Sequence, residues 1–379
     1  MSTQELDRMR HLDPANRTHL AGYIRHLELE QLKATTIRTK VWRIHSLFRD
    51  TGYQDATALR REDIEDYFIQ RRKDVSAFTL QGDILESKLF FRWLDPEQEK
   101  ELFKNIKMKK PRRQLPVDQL ISRTDITRLV EACEKPRDRA LIMLMWDSGA
   151  RISEILGLNI GHVQFDQYGA VVIVSGKTGM RRLRLISSVP DIQTWVNIHP
   201  LRHDASSPLF ITSRTYAGTP RRLSARTVEN RLKHLSKQLK ITKPIHPHAI
   251  RHARLTDLVR ADGTRKGLSE MELRLVAGWE KNSSMPEVYV HLSGGDVERK
   301  MLENAGLIDV DRKGPSTLEP MMCPRCRSMN SFDAIYCAKC SMALNELAAM
   351  KVERSTDEAK GSEEYRMLVE RLKRDLGMG

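Results

Sequence analysis

The chain has 379 residues, of which 40% are hydrophobic and 30% are charged, a balance typical of folded globular domains rather than disordered chains. Its length allows two or three domains, each with its own core. No apolar run reaches the length of a membrane-spanning helix, and the first residues lack the apolar centre of a signal peptide. We therefore expect a cytoplasmic protein without a membrane partner.

The 64 lysines and arginines outnumber the 50 aspartates and glutamates, which gives a formal net charge of +14. Such an excess favours polyanionic partners, because their binding releases counterions. Nucleic acid is the partner class that this charge indicates first, although ribosomal proteins, membrane-surface proteins and nucleases share the property.

Residues 16–96, which follow a short lead over 1–15, predict a small helical domain. Apolar residues recur there every three or four positions, which is the spacing of one helix face. Gly52 is typical of a helix end, and a fourth helix is expected from Thr79 to Leu94. The apolar positions of the first three helices are Leu20, Ile24, Leu27, Ile37, Val41, Ile44, Leu47, Phe48, Ile64, Tyr67 and Phe68.

Residues 97–117 predict a basic linker between two domains. The segment 103–116 holds six lysines or arginines and two prolines, without a carboxylate. A segment of this kind connects domains and can also lie along a phosphate backbone. The candidate DNA-contacting residues are Lys107, Lys109, Lys110, Arg112 and Arg113.

Residues 118–304 predict a second, mostly helical domain that carries a small antiparallel sheet. A capped helix begins near Ser122, a strongly apolar helix follows in DRALIMLMWDSGA, and RISEILGLNIGHV is expected to continue as a further helix. Two β-rich runs flank Ser175–Gly179, which indicates a hairpin with Lys177 at or beside its turn. Helices return from about Thr227.

The rest of the chain predicts three smaller parts. Residues 305–318 are interpreted as a second linker, 319–345 as a zinc ribbon and 346–379 as a helical tail. The stretch SEEYRMLVERLKRDL in the tail has one apolar face at helical spacing. This face could pack on the ribbon, on a partner chain or on nothing.

Four of the five cysteines form two Cys-x-x-Cys pairs separated by ten residues. Each pair can supply two thiolates to one tetrahedral zinc ion, and a site with four protein ligands is structural. Disulfides are the weaker explanation in a reducing cytoplasm, and the fifth cysteine, Cys133, is expected to be a small buried apolar residue. The predicted ligands are Cys323, Cys326, Cys337 and Cys340.

The stretch HPHAIRH, residues 246–252, is dense in histidine. His248 and His252 are four residues apart, so a helix places them on one face, where paired zinc ligands often lie. His248 and Arg251 are three apart and share a face in the same way. The stretch therefore allows a metal site, a cluster of surface histidines or a site for another ligand.

Four further stretches hold residues suited to chemistry, and each has a plain structural explanation. Arg151 and Glu154 in GARISEILGL form an ordinary ion pair within a helix. Lys177 in SGKTG lies in a polar turn. Trp279 in AGWEK is a core aromatic residue, and Tyr289 in MPEVYVHL is a packed residue between two valines.

In this order, the five stretches resemble the active-site series of the tyrosine recombinases, or phage-type integrases: Arg, Lys, His-x-x-Arg, His or Trp, and Tyr. The resemblance covers the helical domain and residues 118–300, and is strongest to archaeal integrase-like members. It implies a mainly α protein with a helical core-binding domain and a mixed α/β catalytic domain, followed here by the zinc ribbon.

The resemblance also implies a function. Such a protein is a site-specific recombinase, which cuts and rejoins double-stranded DNA through a covalent 3′-phosphotyrosine intermediate. Catalysis needs no metal or other cofactor, so the only expected cofactor is the structural zinc. The expected assembly on DNA is a homo-oligomer, a tetramer.

The family assigns a role to each matching residue. Tyr289 is the nucleophile, and Arg151 and Arg251 bind the non-bridging phosphate oxygens with guanidinium groups that stay charged. Lys177 is the general acid for the leaving 5′-oxygen. His248 hydrogen-bonds the phosphate and helps to take the tyrosine proton.

Three further residues have supporting roles by the same resemblance. Trp279 stands where the family has His or Trp and offers an indole N–H. Glu154 orients Arg151, and His252 hydrogen-bonds within the core. The sequence departs from the family pattern at Trp279, which replaces the commoner histidine of microbial members. The spacing from Trp279 to Tyr289 is also one residue longer than expected.

Two other functions share this fold. The first is a DNA-binding or transcription-linked protein without catalysis, although binding alone needs no tyrosine at position 289. The second is a type IB topoisomerase, which uses the same chemistry as a monomer. A covalent adduct that depends on Tyr289 would exclude the first, and assembly on paired DNA sites would exclude the second.

Overall fold

The computed structural model describes residues 12–52, 55–108, 119–176, 179–212, 220–260, 267–283, 285–286, 301–302, 305, 307 and 318–375. Among these residues, none of the helices combines the length and the apolar character that crossing a membrane requires. The chain divides into two compact units, Met1–Arg113 and Gln114–Gly379.

The first unit is helical throughout its described part. Its helices are α1 (Pro14–Leu29), α2 (Ala34–Thr51), α3 (Arg61–Asp74), α4 (Ala77–Leu94) and α5 (Pro96–Leu102), with a 3-10 turn at Ala56–Ala58. Every apolar position predicted for the first three helices is buried in one core. Gly52 ends α2 as predicted, with a φ of 64° that favours glycine and an N–H that donates to the Phe48 carbonyl.

The predicted linker begins too early. Pro96 opens α5 instead of following the last helix, because the Asp95 carboxylate accepts hydrogen bonds from the N–H groups of Glu97 and Gln98. Leu102 and Phe103 are 2% and 3% exposed and lie in the core of the first unit. The segment up to Phe103 therefore belongs to the helical unit.

The second unit is mostly helical and carries two small sheets. Its helices are α6 (Arg123–Glu131), α7 (Pro136–Ser148), α8 (Ile152–Leu156), α9 (Val189–Asn197), α10 (Ala225–Gln238), α11 (Pro247–Val259), α12 (Glu270–Ala277), α13 (Glu346–Gly361) and α14 (Glu363–Asp375). Ser122 caps α6 as predicted, since its hydroxyl accepts from the Asp125 N–H and the Asp125 carboxylate accepts from the Ser122 N–H.

The larger sheet is antiparallel and has three strands, β1 (Val163–Asp166), β2 (Gly169–Gly176) and β3 (Gly179–Leu185). The hairpin of β2 and β3 was predicted, and its turn, which includes Lys177, lies outside the described residues. Strand β1 was not predicted, because a continuous helix was expected over residues 151–163.

That helix expectation is wrong beyond Leu156, where α8 ends. The N–H groups of Ile160 and Gly161 donate to the carbonyls of Ser207 and Ala205, at 2.9 and 2.8 Å. Hydrogen bonds to a distant segment thus replace those that a helix would make, and they direct the chain into β1. Helical propensity is a weak preference that tertiary contacts override.

Helix α7 is the centre of the core of the second unit. All of its residues from Ala140 to Ser148 are buried, which explains its continuous apolar sequence. It contacts α6, α9, α11 and β3. Gly149 then ends the helix with a φ of 56°. Ala150 and Arg151 therefore follow the helix in a loop.

The cysteine segment is attached to the same core. Its two short strands, β4 (Met321–Met322) and β5 (Met329–Asn330), pair antiparallel. Leu318 is 2% exposed and lies in the core that surrounds α7, so the predicted linker 305–318 ends inside the core of the second unit. Met329 and Phe332 also pack against that core.

The two C-terminal helices bury little surface of their own. Within α13, Ala348 is the one buried residue, and no described residue of α14 is buried. The predicted amphipathic face is exposed, with Tyr365 at 41%, Leu368 at 55% and Leu372 at 49%.

Candidate active site and cysteine cluster

Arg151 lies in the loop between α7 and α8 rather than within a helix. It occupies the position before the first residue of α8, and Glu154 lies in the first turn of that helix. The Glu154 carboxylate accepts from the Arg151 N–H at 2.8 Å and from Arg151 Nη1 at 3.0 Å. The predicted pair is therefore confirmed as a contact, but it is a capping interaction at a helix N-terminus rather than a pair on one helix face.

Arg251 is buried on α11, with 4% exposure. Its Nη1 donates to the Gly149 carbonyl at 2.7 Å, and its Nη2 donates to the Ala277 carbonyl at 2.8 Å. The planar guanidinium thus fixes the loop before Arg151 against the last residue of α12. This geometry brings the two arginines of the predicted series to the same loop.

His248 and His252 lie one turn apart on α11, as predicted, and their Nε2 atoms are 2.8 Å from each other. One ring must donate and the other accept, so at least one of the two is neutral. His248 is exposed and His252 is buried at 8% exposure. The two Nε2 atoms are thus hydrogen-bonded to each other and not arranged around a shared metal position. Within the described residues, the four cysteines form the only group of three or more His, Cys, Asp or Glu side chains with metal-binding geometry.

Trp279 is half-buried and packs beside Leu255, Leu273 and Ala277. The residue before it, Gly278, ends α12 with a φ of 61°. The Gly278 carbonyl accepts from Arg151 Nη2 at 3.3 Å. The predicted core-aromatic and active-site interpretations of Trp279 are therefore compatible, because its loop touches Arg151 while its ring packs on the α11–α12 cluster.

Arg181 on β3 is a site residue that the sequence did not reveal. Its Nη1 and Nη2 donate to the two oxygens of Glu154 at 2.8 and 2.7 Å, and its Nε donates to the Val276 carbonyl at 2.9 Å. The sequence signal was weak, since Arg181 stands in a run of basic residues that resembles a solvated strand face. Alternation offered one clue, because Arg181 shares its side of β3 with the buried Leu183 and Leu185.

The Glu154 side chain is fully buried. Burial alone raises the pKa of this carboxyl group, but the hydrogen bonds from Arg181 and Arg151 outweigh it and lower the pKa to about 2. The carboxylate is therefore charged at neutral pH. Two guanidinium groups, those of Arg151 and Arg181, bind this one negative charge. Arg251 contacts the loop before Arg151, so the site has a positive excess that suits a phosphate group.

Several predicted site residues lie outside the described residues. These are Lys177, Tyr289, Lys109, Lys110, Arg112 and Arg113. Lys107 is described and exposed. The structure thus brings together Arg151, Glu154, Arg251 and the Trp279 loop, through contacts at the loop after α7 and at the end of α12. His248 lies three residues before Arg251 on α11.

The four cysteines of the ribbon form a compact cluster. Their sulfur atoms all lie within 4.8 Å of one another, and the Cys323–Cys340 and Cys326–Cys337 pairs are each 3.6 Å apart. Tetrahedral zinc–thiolate geometry, with bonds of about 2.3 Å, places sulfur atoms about 3.8 Å apart. The donor set and the spacing both fit a zinc ion.

Arginines held beside a buried carboxylate form a positively charged site that suits a phosphate group, and comparison with known proteins indicates the family. Residues 119–294 match the phage integrase family. Among curated relatives are the tyrosine recombinases XerC of Escherichia coli O139:H28 and O157:H7. Each is 26% identical to this chain, over 291 and 287 residues respectively. Each match covers 73% of this chain and 92% of the relative.

Solved structures show the same fold. The Tn1549 transposon integrase in complex with circular intermediate DNA has a TM-score of 0.55 at 19% identity, over 75% of this chain and 98% of that one. A lambda integrase dimer bound to a COC′ core site has a TM-score of 0.57 at 14% identity, over 76% of this chain and 81% of that one. Residues 119–294 thus form a phage integrase domain, and the chain is similar to tyrosine recombinases over 73% of its length.

Proposed function

We propose that this tyrosine recombinase cuts and rejoins duplex DNA at specific sites through a 3′-phosphotyrosyl intermediate formed on Tyr289. The observation that carries the proposal is the joint anchoring of Arg151 and Arg251. Arg151 lies in the loop after α7, and Arg251 donates to the Gly149 carbonyl of the same loop. At the end of α12, Arg151 donates to the Gly278 carbonyl and Arg251 to the Ala277 carbonyl. A pair of guanidinium groups preset in this way can bind a phosphate whose charge grows during displacement.

In the proposed cleavage step, the Tyr289 oxygen forms a bond to phosphorus while the bond to the 5′-oxygen breaks. Arg151 and Arg251 stabilise the non-bridging oxygens, and Lys177 gives a proton to the leaving 5′-oxygen. The phosphotyrosyl bond conserves the energy of the broken bond, so a free 5′-hydroxyl can reverse the reaction. The roles of Tyr289 and Lys177 rest on their positions in the family series.

His248 is proposed to hydrogen-bond the phosphate and help to take the Tyr289 proton. The 2.8 Å contact with His252 supports this role, because a neutral His248 whose Nε2–H donates to His252 keeps its Nδ1 as an acceptor. Trp279 supplies apolar packing beside the nucleophile's segment. His246 caps α11, since its ring nitrogen accepts from the Ala249 N–H at 3.2 Å, which sets the direction of the helix that carries His248.

Cys323, Cys326, Cys337 and Cys340 are proposed to hold one structural zinc. When bound, the ion supplies four thiolate bonds that close the two turns of the ribbon. The module is small and buries few apolar side chains, so we expect its stability to depend on that cross-link. Catalysis itself is proposed to need no metal or other cofactor.

Double-stranded DNA is the proposed partner, and a homo-oligomer on DNA, a tetramer, is the proposed assembly. The net charge of +14 supports DNA binding. Related integrases have been solved in complex with DNA, one of them as a dimer. The segment that includes Lys107, Lys109, Lys110, Arg112 and Arg113 is proposed to contact the phosphate backbone.

Covalent trapping in cells tests the proposal. Cells expressing the chain or its Tyr289→Phe variant are lysed in denaturant, and DNA that stays bound to the protein is sequenced. We expect discrete genomic sites with the unchanged chain and none with the variant. A nicked duplex carrying a recovered site should then trap the cleaved strand in vitro.

The outcome also separates the alternative functions. Bound DNA without a covalent adduct would reject cleavage and favour a binding protein of this fold. A Tyr289-dependent adduct that relaxes supercoils but never exchanges strands between two duplexes would favour a topoisomerase.

A further inference from the structure

Arg181 saturates the buried carboxylate of Glu154. Four hydrogen bonds reach that carboxylate, one from the Arg151 N–H, one from Arg151 Nη1 and two from the fork of Arg181. Two carboxylate oxygens offer about four acceptor sites. Arg181 therefore takes half of the acceptor capacity and leaves Arg151 with a single side-chain bond to Glu154.

The exposures of the two arginines differ in a way that separates their roles. The Arg151 side chain is 32% exposed, whereas that of Arg181 is 11% exposed. Arg151 can thus meet a ligand from solvent, while Arg181 is covered by the structure around it. In both ion pairs the shared partner, Glu154, has no exposed side-chain surface.

Arg181 also ties β3 to the end of α12. Its Nε holds the Val276 carbonyl, and a Cβ added at Gly278 would lie 2.7 Å from Arg181 Nη1. The same side chain therefore contacts the segment that leads into Trp279 and whose carbonyl at Gly278 accepts from Arg151. One side chain connects the carboxylate, the strand and the helix end.

We infer that Arg181 is a positioning residue for strand cleavage, which sets the Arg151 guanidinium by occupying Glu154 and does not itself touch DNA. Without Arg181, two acceptor sites on a buried carboxylate would be left to Arg151, and a bidentate Arg–carboxylate pair is the favoured geometry. The Arg151 fork would then turn towards Glu154 and away from phosphate. The inference rests on the proposed function and extends it to a residue outside the family series.

The test compares Arg181→Gln and Arg181→Lys with the unchanged chain. The matched control is Arg184→Gln on the same strand, where Arg184 pairs with Asp166 at the surface. Each protein is given a nicked duplex carrying a site recovered by covalent trapping. The first-order rate of adduct formation at saturating protein and the Kd for the duplex are measured separately, together with the melting temperature.

We expect Arg181→Gln to slow adduct formation about 100-fold, the order of loss that a displacement of about 1 Å causes, while the Kd changes by less than about threefold. Arg181→Lys keeps the charge but not the fork, so it should recover part of the rate. The control should cleave at the rate of the unchanged chain. If Arg181→Gln does not fold, the Lys variant carries the same comparison.

A crystal structure of the Arg181→Gln or Arg181→Lys variant without DNA gives a second readout, which is independent of recombination. We expect both Nη atoms of Arg151 to bind Glu154 there. An Arg151 that stays in place, or a cleavage rate within about threefold of the unchanged chain at saturating protein, would overturn the inference. A lack of adduct with the unchanged chain would instead reject the proposed function, and the variant structure would still decide whether Arg181 sets Arg151.

Discussion

Glu154 is the residue on which the arginine site is built. Its side chain is fully buried, yet it stays charged because two guanidinium groups bind it. An unpaired carboxylate in that place would be costly, and a pair that loses one member leaves a buried charge behind. The site therefore depends on a residue that we do not expect to touch DNA.

The lowered pKa of Glu154 predicts a specific pH dependence of stability. The pKa is about 2 in the folded chain against an ordinary value of 4.5, which corresponds to about 3 kcal/mol of unfolding free energy at neutral pH. A lowered folded pKa gives stability that is fully present above the unfolded pKa. This stability is lost as the pH falls from about 4.5 towards 2.

Urea unfolding between pH 7 and pH 3 of the unchanged chain and of Glu154→Gln checks this prediction. The variant should be less stable at pH 7 and should lose less further stability on acidification. The exposed Glu131→Gln change is the control and should leave the pH profile unaltered. Parallel profiles for Glu154→Gln and the unchanged chain would contradict the prediction.

At the residue scale, the sequence predicted which side chains are in contact better than it predicted where they lie in the helices and loops. The pairing of Arg151 with Glu154 followed from their spacing, but only the structure shows that Gly149 ends α7 and puts Arg151 in a loop. Arg181 could not be identified, because its contact with Glu154 spans 27 residues and requires the twist of a strand against a helix end. Short-range spacing carries no information on such a contact.

At the scale of elements, the ribbon is joined to the first turn of α7. Arg139 on that helix donates to Asp191 of α9 and also to Ser331 and Asp333 of the ribbon. Its guanidinium carbon lies 5.5 Å from the centre of the Phe332 ring, within cation–π range. Asp191 is buried, so Arg139 compensates its charge and holds the ribbon with the same group.

This attachment predicts that metal removal is felt by the catalytic core. Chelation should loosen the ribbon, withdraw Ser331, Phe332 and Asp333 from Arg139, and lower the melting temperature of the core by several degrees. In Asp333→Asn the ribbon is held less firmly, so the difference between the zinc-loaded and zinc-stripped melting temperatures should shrink.

Calorimetry of the zinc-loaded and zinc-stripped chain measures both effects, with the metal content assayed separately. Arg325→Met, a change at an exposed ribbon arginine, is the control and should keep the full difference. A core transition that is indifferent to chelation would show that the ribbon is thermally independent of α7.

The elements show where sequence patterns stop being informative. The helices of the first unit were predicted closely, because each buries one apolar face in a single core. The errors fall at Pro96, where a cap by Asp95 starts a helix in place of the predicted linker, and at β1, which depends on pairing with β2. Both outcomes are decided by neighbours that a local pattern does not contain.

At the scale of the whole molecule, the charge excess predicts a strong salt dependence of DNA binding. A fluorescent duplex of arbitrary sequence suffices as the probe, because phosphate contacts do not depend on sequence. If Lys107 contacts one phosphate, Lys107→Gln should reduce the slope of log affinity against log salt by about 0.9. The control Lys100→Gln removes another exposed lysine, which pairs with Glu97, and should leave the slope unchanged.

Anisotropy titrations over a range of salt concentrations measure the slopes. A Lys107→Gln slope equal to that of the control would remove Lys107 from the DNA surface, without bearing on cleavage.

Helix α7 connects the ribbon, at its first turn, with the arginine site, at its last turn. Arg139 in its first turn holds the ribbon, and the loop after its last turn holds Arg151. Ten residues of helix from Arg139 to Gly149 span about 15 Å. The ribbon is therefore a natural attachment point for labels or fused domains, since a dye or tag placed there is attached at the end of α7 opposite to the loop that holds Arg151.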